Sequence, residues 1–412
     1  MTSYFKLKSS GIAAIALTLS LAACVDKADI TDEQVQKLHA NVLTLDTHVD
    51  IPLTFMTEVD PGVANEYQVD LGKMEKGGLD AAFFIVYTPQ GELTDEGYAK
   101  AGEIAETRIK AIHQMAKAYE DRIVFATTAE QVRKATKDGN LVALVGMENA
   151  FPLGPTIDSV QTWAKRGVRY MGITHFGHNQ FGDSSNPHPD RDDGPLHNGL
   201  SGMGKELINQ LNRHGIMVDV SHAGKETMMQ AADLSRTPII ASHSGVKAIA
   251  DTARNLDDEQ LRKIKDVGGV AQMVALGSYV KVLTPEQEAF RDKVRVELGL
   301  ETSEARSAMT DAQEAEYEAR LEGVYDIEPR ATVADFVDHV DHAVKIAGID
   351  HVGIASDFDG GGGIDGWQDA SETQNVTAEL IKRGYSDAEI SKIWGGNLLR
   401  VMEAVEAVTQ KQ

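Results

Sequence analysis

Apolar runs of strand length recur along the chain, separated for the most part by stretches of helical spacing. The runs are "NVLTLDTH" (41–48), "LDAAFFIVYT" (79–88), "LVALVGMEN" (141–149), "RYMGITH" (169–175), "GIMVDVSH" (215–222), "PIIASHS" (238–244), "GVAQMVA" (269–275) and "HVGIASDFD" (351–359). Their apolarity is continuous rather than alternating, which marks strands covered on both faces, as in a parallel sheet. Stretches such as "AGEIAETRIKAIHQMAKAYE" and "GKELINQLNRHG" carry helical spacing with charged outer faces. Eight strand–helix units predict a (β/α)8 TIM barrel, and 412 residues fit one such unit with insertions. The segment 281–329 breaks the repeat. It is charge-rich, alanine-rich and helical in pattern, and it is expected as a solvated helical insertion after the seventh strand.

In a barrel of this kind all strands open at their carboxyl ends on one face, where active sites sit. Six of the eight runs end in a residue that binds metal or moves a proton: His48 with Asp50, Glu148, His175, His222, His243 and Asp357. Each alone has a plain structural explanation. A histidine and an aspartate two apart on a strand suit a hydrogen bond as well as a metal site, and a single histidine after a strand is more often a satisfied core residue. Glu148 is harder to dismiss, because a buried carboxylate needs a cation or several donors and no basic residue stands near it in sequence. Taken together, His48, Asp50, Glu148, His222 and His243 offer nitrogen and oxygen donors without cysteine, which suits two divalent ions of the zinc type bridged by a carboxylate. Asp46 shares the strand face of His48 and Asp50 and is expected to support the site rather than bind metal. The loop after the fourth strand, with His178, His188 and His197, is expected to line the pocket, its histidines unassigned. His39, His113, His214, His339, His342 and His351 are given surface or structural roles.

The formal charge of −23 argues against nucleic acid and anionic membrane surfaces as partners. At the N-terminus, Lys6 and Lys8 precede an apolar run that ends in "LAAC" and is too short to span a bilayer comfortably, the pattern of an export signal over 1–23. "LAAC" resembles the bacterial lipobox, which makes Cys24, the only cysteine, the expected site of lipidation. Residues 24–36 are then expected as a polar tether and 37–412 as the catalytic domain. Val25 after the cysteine, by resemblance to sorted lipoproteins, implies the outer membrane of a Gram-negative-type envelope, facing the periplasm.

The ordered set "DTHVDIP", "GGLDAAFF", "GMEN", "GITHFGHNQFGDSS", "VDVSH", "PIIASHS", "ARNLDD", "HVGIASDFDG" and "GGNLLRV" resembles the membrane (renal) dipeptidases, zinc peptidases whose (β/α)8 barrel is related to the metal-dependent amidohydrolases. The match runs along nearly the whole mature chain. The resemblance implies two zinc ions per chain, one on His48 and Asp50, the other on His222 and His243, with Glu148 bridging. It implies a dipeptide substrate, L-Xaa-L-Xaa or L-Xaa-D-Xaa, cleaved by a metal-bridging hydroxide. His175 would polarise the scissile carbonyl, Arg254 would hold the substrate carboxylate, and Asp357 would take the water's proton and pass it to the leaving amine. A tyrosine after strand seven helps bind that carboxylate in the mammalian relatives; the sequence does not assign Tyr279 to the role. A homodimer is one assembly open to such a chain. The rival within enzymes is another amidohydrolase-type metal hydrolase acting on a small carboxylate-bearing substrate. Those barrels commonly show a strand-end lysine that becomes a carbamylated bridge, where this chain has Glu148. A lipid-anchored binding protein without catalysis would lack Asp357 or part of the donor set.

Overall fold

A computed structural model describes residues 31–187, 194–302, 305 and 309–409. Cys24, the segment read as a signal and His188 lie outside these. The described chain opens with the helix Asp32–His39, capped reciprocally by Thr31 and Gln34. Residues 32–36, expected as tether, are therefore helical: the polar stretch hides a capping box, and Val35 and His39 are buried.

Nine strands follow: β1 Leu45–Val49, β2 Ala81–Tyr87, β3 Ile123–Phe125, β4 Leu141–Glu148, β5 Val168–Gly172, β6 Met217–Asp219, β7 Ile240–Ser244, β8 Val270–Val274 and β9 Val352–Ala355. Eight of them pair in parallel in the order β1-β2-β4-β5-β6-β7-β8-β9. The circle closes where the Asp357 amide donates to the His48 carbonyl at 3.1 Å and the Asp50 amide donates to the Phe358 carbonyl at 2.8 Å. The (β/α)8 barrel expected from the sequence is the one observed, and each of the eight runs overlaps one of its strands. The sequence reading missed β3. It is three residues long and pairs with the first half of β4, on the edge that β5 takes over from Val145 onward.

Continuous apolarity follows from the period of two. On β2, Ala81, Phe83 and Ile85 belong to a cluster with Leu45, Val142 and Met217, while Ala82, Phe84 and Val86 belong to the second, larger cluster. Burying a side chain such as Phe83 contributes about 2–3 kcal/mol, so both faces favour the fold. The helix Asn397–Thr409 joins the first cluster through Leu398, Met402 and Val405, together with the first residues of β1, β2 and β6. That end of the barrel is sealed, which leaves the carboxyl ends of the strands as the open mouth.

The insertion forms helices Pro285–Leu298 and Asp311–Leu321 around a small core of Val294, Leu300 and Tyr317. It follows β8 and the short helix Gly277–Val280. With Gly363 and Ile364 from the loop after β9, it walls a cavity of about 210 Å³ beside the mouth. No described helix is long and apolar enough to cross a membrane.

Candidate metal centre

The strand ends deliver the side chains singled out by the sequence to one place. His48 lies in β1 with Asp50 just beyond it, Glu148 ends β4, and His243 lies in β7. His222 and Asp357 follow β6 and β9 in the left-handed backbone region, with φ of 65° and 61°, as does Asn149 next to Glu148 at 74°. Such conformations cost non-glycine residues energy and persist where the surroundings impose them. Gly360 permits the closest approach: a Cβ there would stand 2.4 Å from Oδ2 of Asp50 and 2.7 Å from Oδ1 of Asp357.

Glu148 presents one oxygen to each half of the group. Its Oε2 lies 3.6 Å from Nε2 of His48, whose other neighbours are Oδ2 of Asp50 at 3.4 Å and Oδ1 of Asp357 at 3.7 Å. Its Oε1 lies 2.8 Å from Nε2 of His222 and 3.3 Å from Nε2 of His243. Three trios have donor atoms within 4.8 Å of one another: His48, Asp50 and Glu148; Glu148, His222 and His243; and His48, His243 and Asp357. Nε2 of His48 and Oδ1 of Asp50 are buried without a hydrogen-bond partner among the described residues. Buried polar atoms left in this way fit a cation between them.

The layer beneath fixes the rings. Tyr170 bonds Nδ1 of His48 at 2.9 Å, and Gly146 makes room for it, since a Cβ would stand 2.2 Å from its ring. Nδ1 of His243 bonds Ser242 Oγ at 2.9 Å, which donates to Oδ2 of Asp219 at 2.8 Å. With the hydroxyl proton given to Asp219, Nδ1 of His243 is the donor and Nε2 carries the lone pair. Asp46 behaves as expected of a supporting carboxylate: its Oδ1 accepts from the amides of His48 at 3.1 Å and Ser356 at 3.0 Å, tying β1 to β9.

Electrostatics separate the groups. Burial alone would depress the pKa of His48, but Glu148 and Asp50 outweigh it and hold it well above the ordinary histidine value. Burial would likewise raise Glu148, yet the surrounding histidines, His48 and His175 foremost, hold it well below the usual carboxylate range. Burial lowers His175, His222 and His243, which favours their neutral forms. Burial also pushes Asp357 up to about 8, with the like charges of Asp50 and Glu148 adding and His48 and Arg254 opposing.

A cavity of about 540 Å³ opens over this group. His175 stands on its wall, 3.9 Å from Glu148 and with its ring centre 4.3 Å from that of His222. Arg254 lies deeper. It donates to Ser244 Oγ at 2.9 Å and to the His243 carbonyl at 2.7 Å, its Nε has no partner among the described residues, and it borders a smaller cavity of about 120 Å³ shared with His222. Its guanidinium stands 5.6 Å over the ring of Tyr279, which does line the large cavity. Tyr279, which the sequence left unassigned, thus stands on the cavity wall beside Arg254. Of the loop histidines, the ring of His178 accepts from the Ser184 amide at 3.0 Å and that of His197 bonds the Asn179 carbonyl at 2.9 Å, both holding the loop. Sequence reasoning missed Tyr87 and Arg108, which also line the cavity. Tyr87 ends an apolar run and was legible as a strand end; Arg108 sits on a long helix, where nothing in the sequence marks it.

A model of the family described as "Membrane dipeptidase (Peptidase family M19)" matches residues 32–412. The crystal structure of the probable dipeptidase PvdM from Pseudomonas aeruginosa is similar at 36% identity, covering 91% of this chain and 98% of that one, with a TM-score of 0.82. The dipeptidase verJ of Clonostachys rogersoniana is 28% identical over 407 residues, 94% of this chain and 91% of that protein. A metallopeptidase from Rhodobacter sphaeroides, solved with a phosphinate mimic of the dipeptide L-Ala-D-Ala, shares the fold at 23% identity and a TM-score of 0.67, covering 88% of this chain and 99% of that one.

Proposed function

From a chain that belongs to the membrane dipeptidase family, peptidase family M19, we propose a metal-dependent hydrolase that cleaves dipeptides and binds two zinc-type ions. The observation that carries this reading is Glu148, whose two oxygens serve two donor trios at once. His48, Asp50 and Glu148 would hold one ion, and Glu148, His222 and His243 the other. When bound, such ions supply Lewis acidity and a water acidified toward neutral pH.

The chain's own residues do the rest. Asp357, 3.7 Å from His48, takes the proton of the attacking water and delivers it to the leaving amine. Neutral His175 donates a hydrogen bond to the oxyanion from the wall of the cavity. Tyr279 and Arg254 form the cationic, hydrogen-bonding end that takes the terminal carboxylate. A free amine and a free carboxylate enclosed in one pocket limit the substrate to two residues. The test is a panel of L-Xaa-L-Xaa and L-Xaa-D-Xaa dipeptides with zinc-reconstituted protein and a tripeptide control. Cleavage of dipeptides alone is expected, and cleavage of none with metal bound would overturn the reading.

We also infer an envelope location through a lipid on Cys24, supported by the signal-like segment before it. Mass spectrometry of the mature N-terminus tests it, an unmodified cysteine being the contrary result.

A further inference from the structure

We propose that Arg108 gives the cavity a preference for dipeptides whose amino-terminal residue carries an acidic side chain. The inference rests on the dipeptidase reading and deepens it. Arg108 belongs to the helix Asp95–Ala118, and its side chain, 11% exposed, reaches the part of the cavity wall built from the ends of β1 and β2. There it donates to the Ile51 carbonyl, lies 3.9 Å from Oδ1 of Asp50, and stands 5.4 Å over the ring of Tyr87. Its Nε has no hydrogen-bond partner among the described residues.

A guanidinium this buried needs an anion. Asp50 is its neighbouring carboxylate, but the other oxygen of Asp50 faces His48, and a cation held there draws on the same charge. Asp359 also lines the cavity, yet its Oδ1 already accepts from the Gln68 amide at 2.8 Å. With the metal centre filled, Arg108 is left as a cation in want of a partner, and the substrate is the group that enters.

The direction of the substrate follows from the wall. Its terminal carboxylate goes to Arg254 and Tyr279 on the β7–β8 side, and its scissile carbonyl lies by His175 after β5. The amino-terminal residue is left the β1–β2 side, where the Arg108 guanidinium stands over the ring of Tyr87. A carboxylate there meets a forked donor, which an amide or an alkyl group does not satisfy.

The test uses the full chain reconstituted with zinc. It compares kcat/KM for L-Glu-L-Ala and L-Asp-L-Ala with the near-isosteric L-Gln-L-Ala and L-Asn-L-Ala, with L-Ala-L-Ala as reference. The acids are expected to be favoured about 10- to 100-fold, the worth of a charge-assisted pair in a desolvated site. Arg108→Gln is expected to bring the acid-to-amide ratio near one, and Arg108→Lys to keep part of it. A ratio within one enzyme is independent of how much of a variant folds, and should a variant not fold at all, the wild-type ratio decides. If no dipeptide is cleaved with metal bound, the dipeptidase reading itself fails. If L-Ala-L-Ala is cleaved and the acids are no better than the amides, only the Arg108 assignment is overturned. It is equally overturned if Arg108→Gln loses metal while the ratio stays as in the wild type, for Arg108 then serves Asp50.

Discussion

The hydroxyl of Tyr170 stands 2.9 Å from Nδ1 of His48 and 3.0 Å from the Thr47 carbonyl, to which it donates, so the ring's proton is committed to Nδ1. Nε2 is left facing three carboxylates, the atom through which the ring would bind a cation held among them. Tyr170→Phe removes the acceptor and keeps the bulk. Metal affinity in the His48 half is expected to fall about 10- to 100-fold, read by titration against a competing chelator. Unchanged affinity would show that packing alone orients the ring.

Glu148→Gln takes the shared carboxylate from both trios at once. Metal content measured by elemental analysis is expected to drop in both halves, and hydrolysis to fall to background. Retention of one full equivalent would mean that one half stands without it.

Asp357→Asn keeps the shape of the side chain and removes its proton chemistry. Metal content is expected to hold while kcat falls about 10²- to 10⁴-fold, the usual worth of a general acid–base group. Since Asp357 also shares a trio with His48 and His243, loss of metal in this variant would reassign it as a ligand.

Arg254 and Tyr279 are expected to recognise the terminal carboxylate together. The wild type should therefore discriminate between a dipeptide and its C-terminal amide by about 10-fold or more, from the difference between charged and neutral hydrogen bonding. Arg254→Gln should erase that discrimination, and Tyr279→Phe should weaken it. Equal discrimination in all three proteins would place the carboxylate elsewhere.

Two histidines far from the centre tie stability to pH. Nδ1 of His339 accepts from the Val246 amide at 2.8 Å while Nε2 donates to the Val280 carbonyl at 2.9 Å; Nε2 of His39 donates to the Gly77 carbonyl at 2.9 Å. Burial lowers both pKa values below the unfolded value of 6.5, so the folded state binds fewer protons. Their contribution is complete above that value and is lost as pH falls below it toward the folded values. The melting temperature is expected to decline between pH 7.5 and 5, and less steeply in His339→Asn. A flat profile in the wild type would refute the linkage.

The barrel and the candidate donors were legible in the chain alone. Eight continuous apolar runs demanded strands buried on both faces, and a polar residue at the end of such a run stands out because burial there is costly without a partner. That is why His48, Glu148, His222 and His243 were legible. The three-residue β3 was not, because it is a brief extension beside β4, and nor was the capped helix beginning at Asp32, whose residues look like linker until Val35 and His39 find a core to face.

What each polar group meets depends instead on the folded barrel. It set Tyr170 beneath His48 through the space left at Gly146, and Ser242 and Asp219 behind His243. It turned Arg254 toward Ser244 and the ring of Tyr279, and it brought Arg108 from a helix into the wall of the cavity. Local spacing fixes the period and the face of a residue within its own element. Which residues of other elements converge on it depends on how the barrel closes, and that is a property of packing across the whole chain.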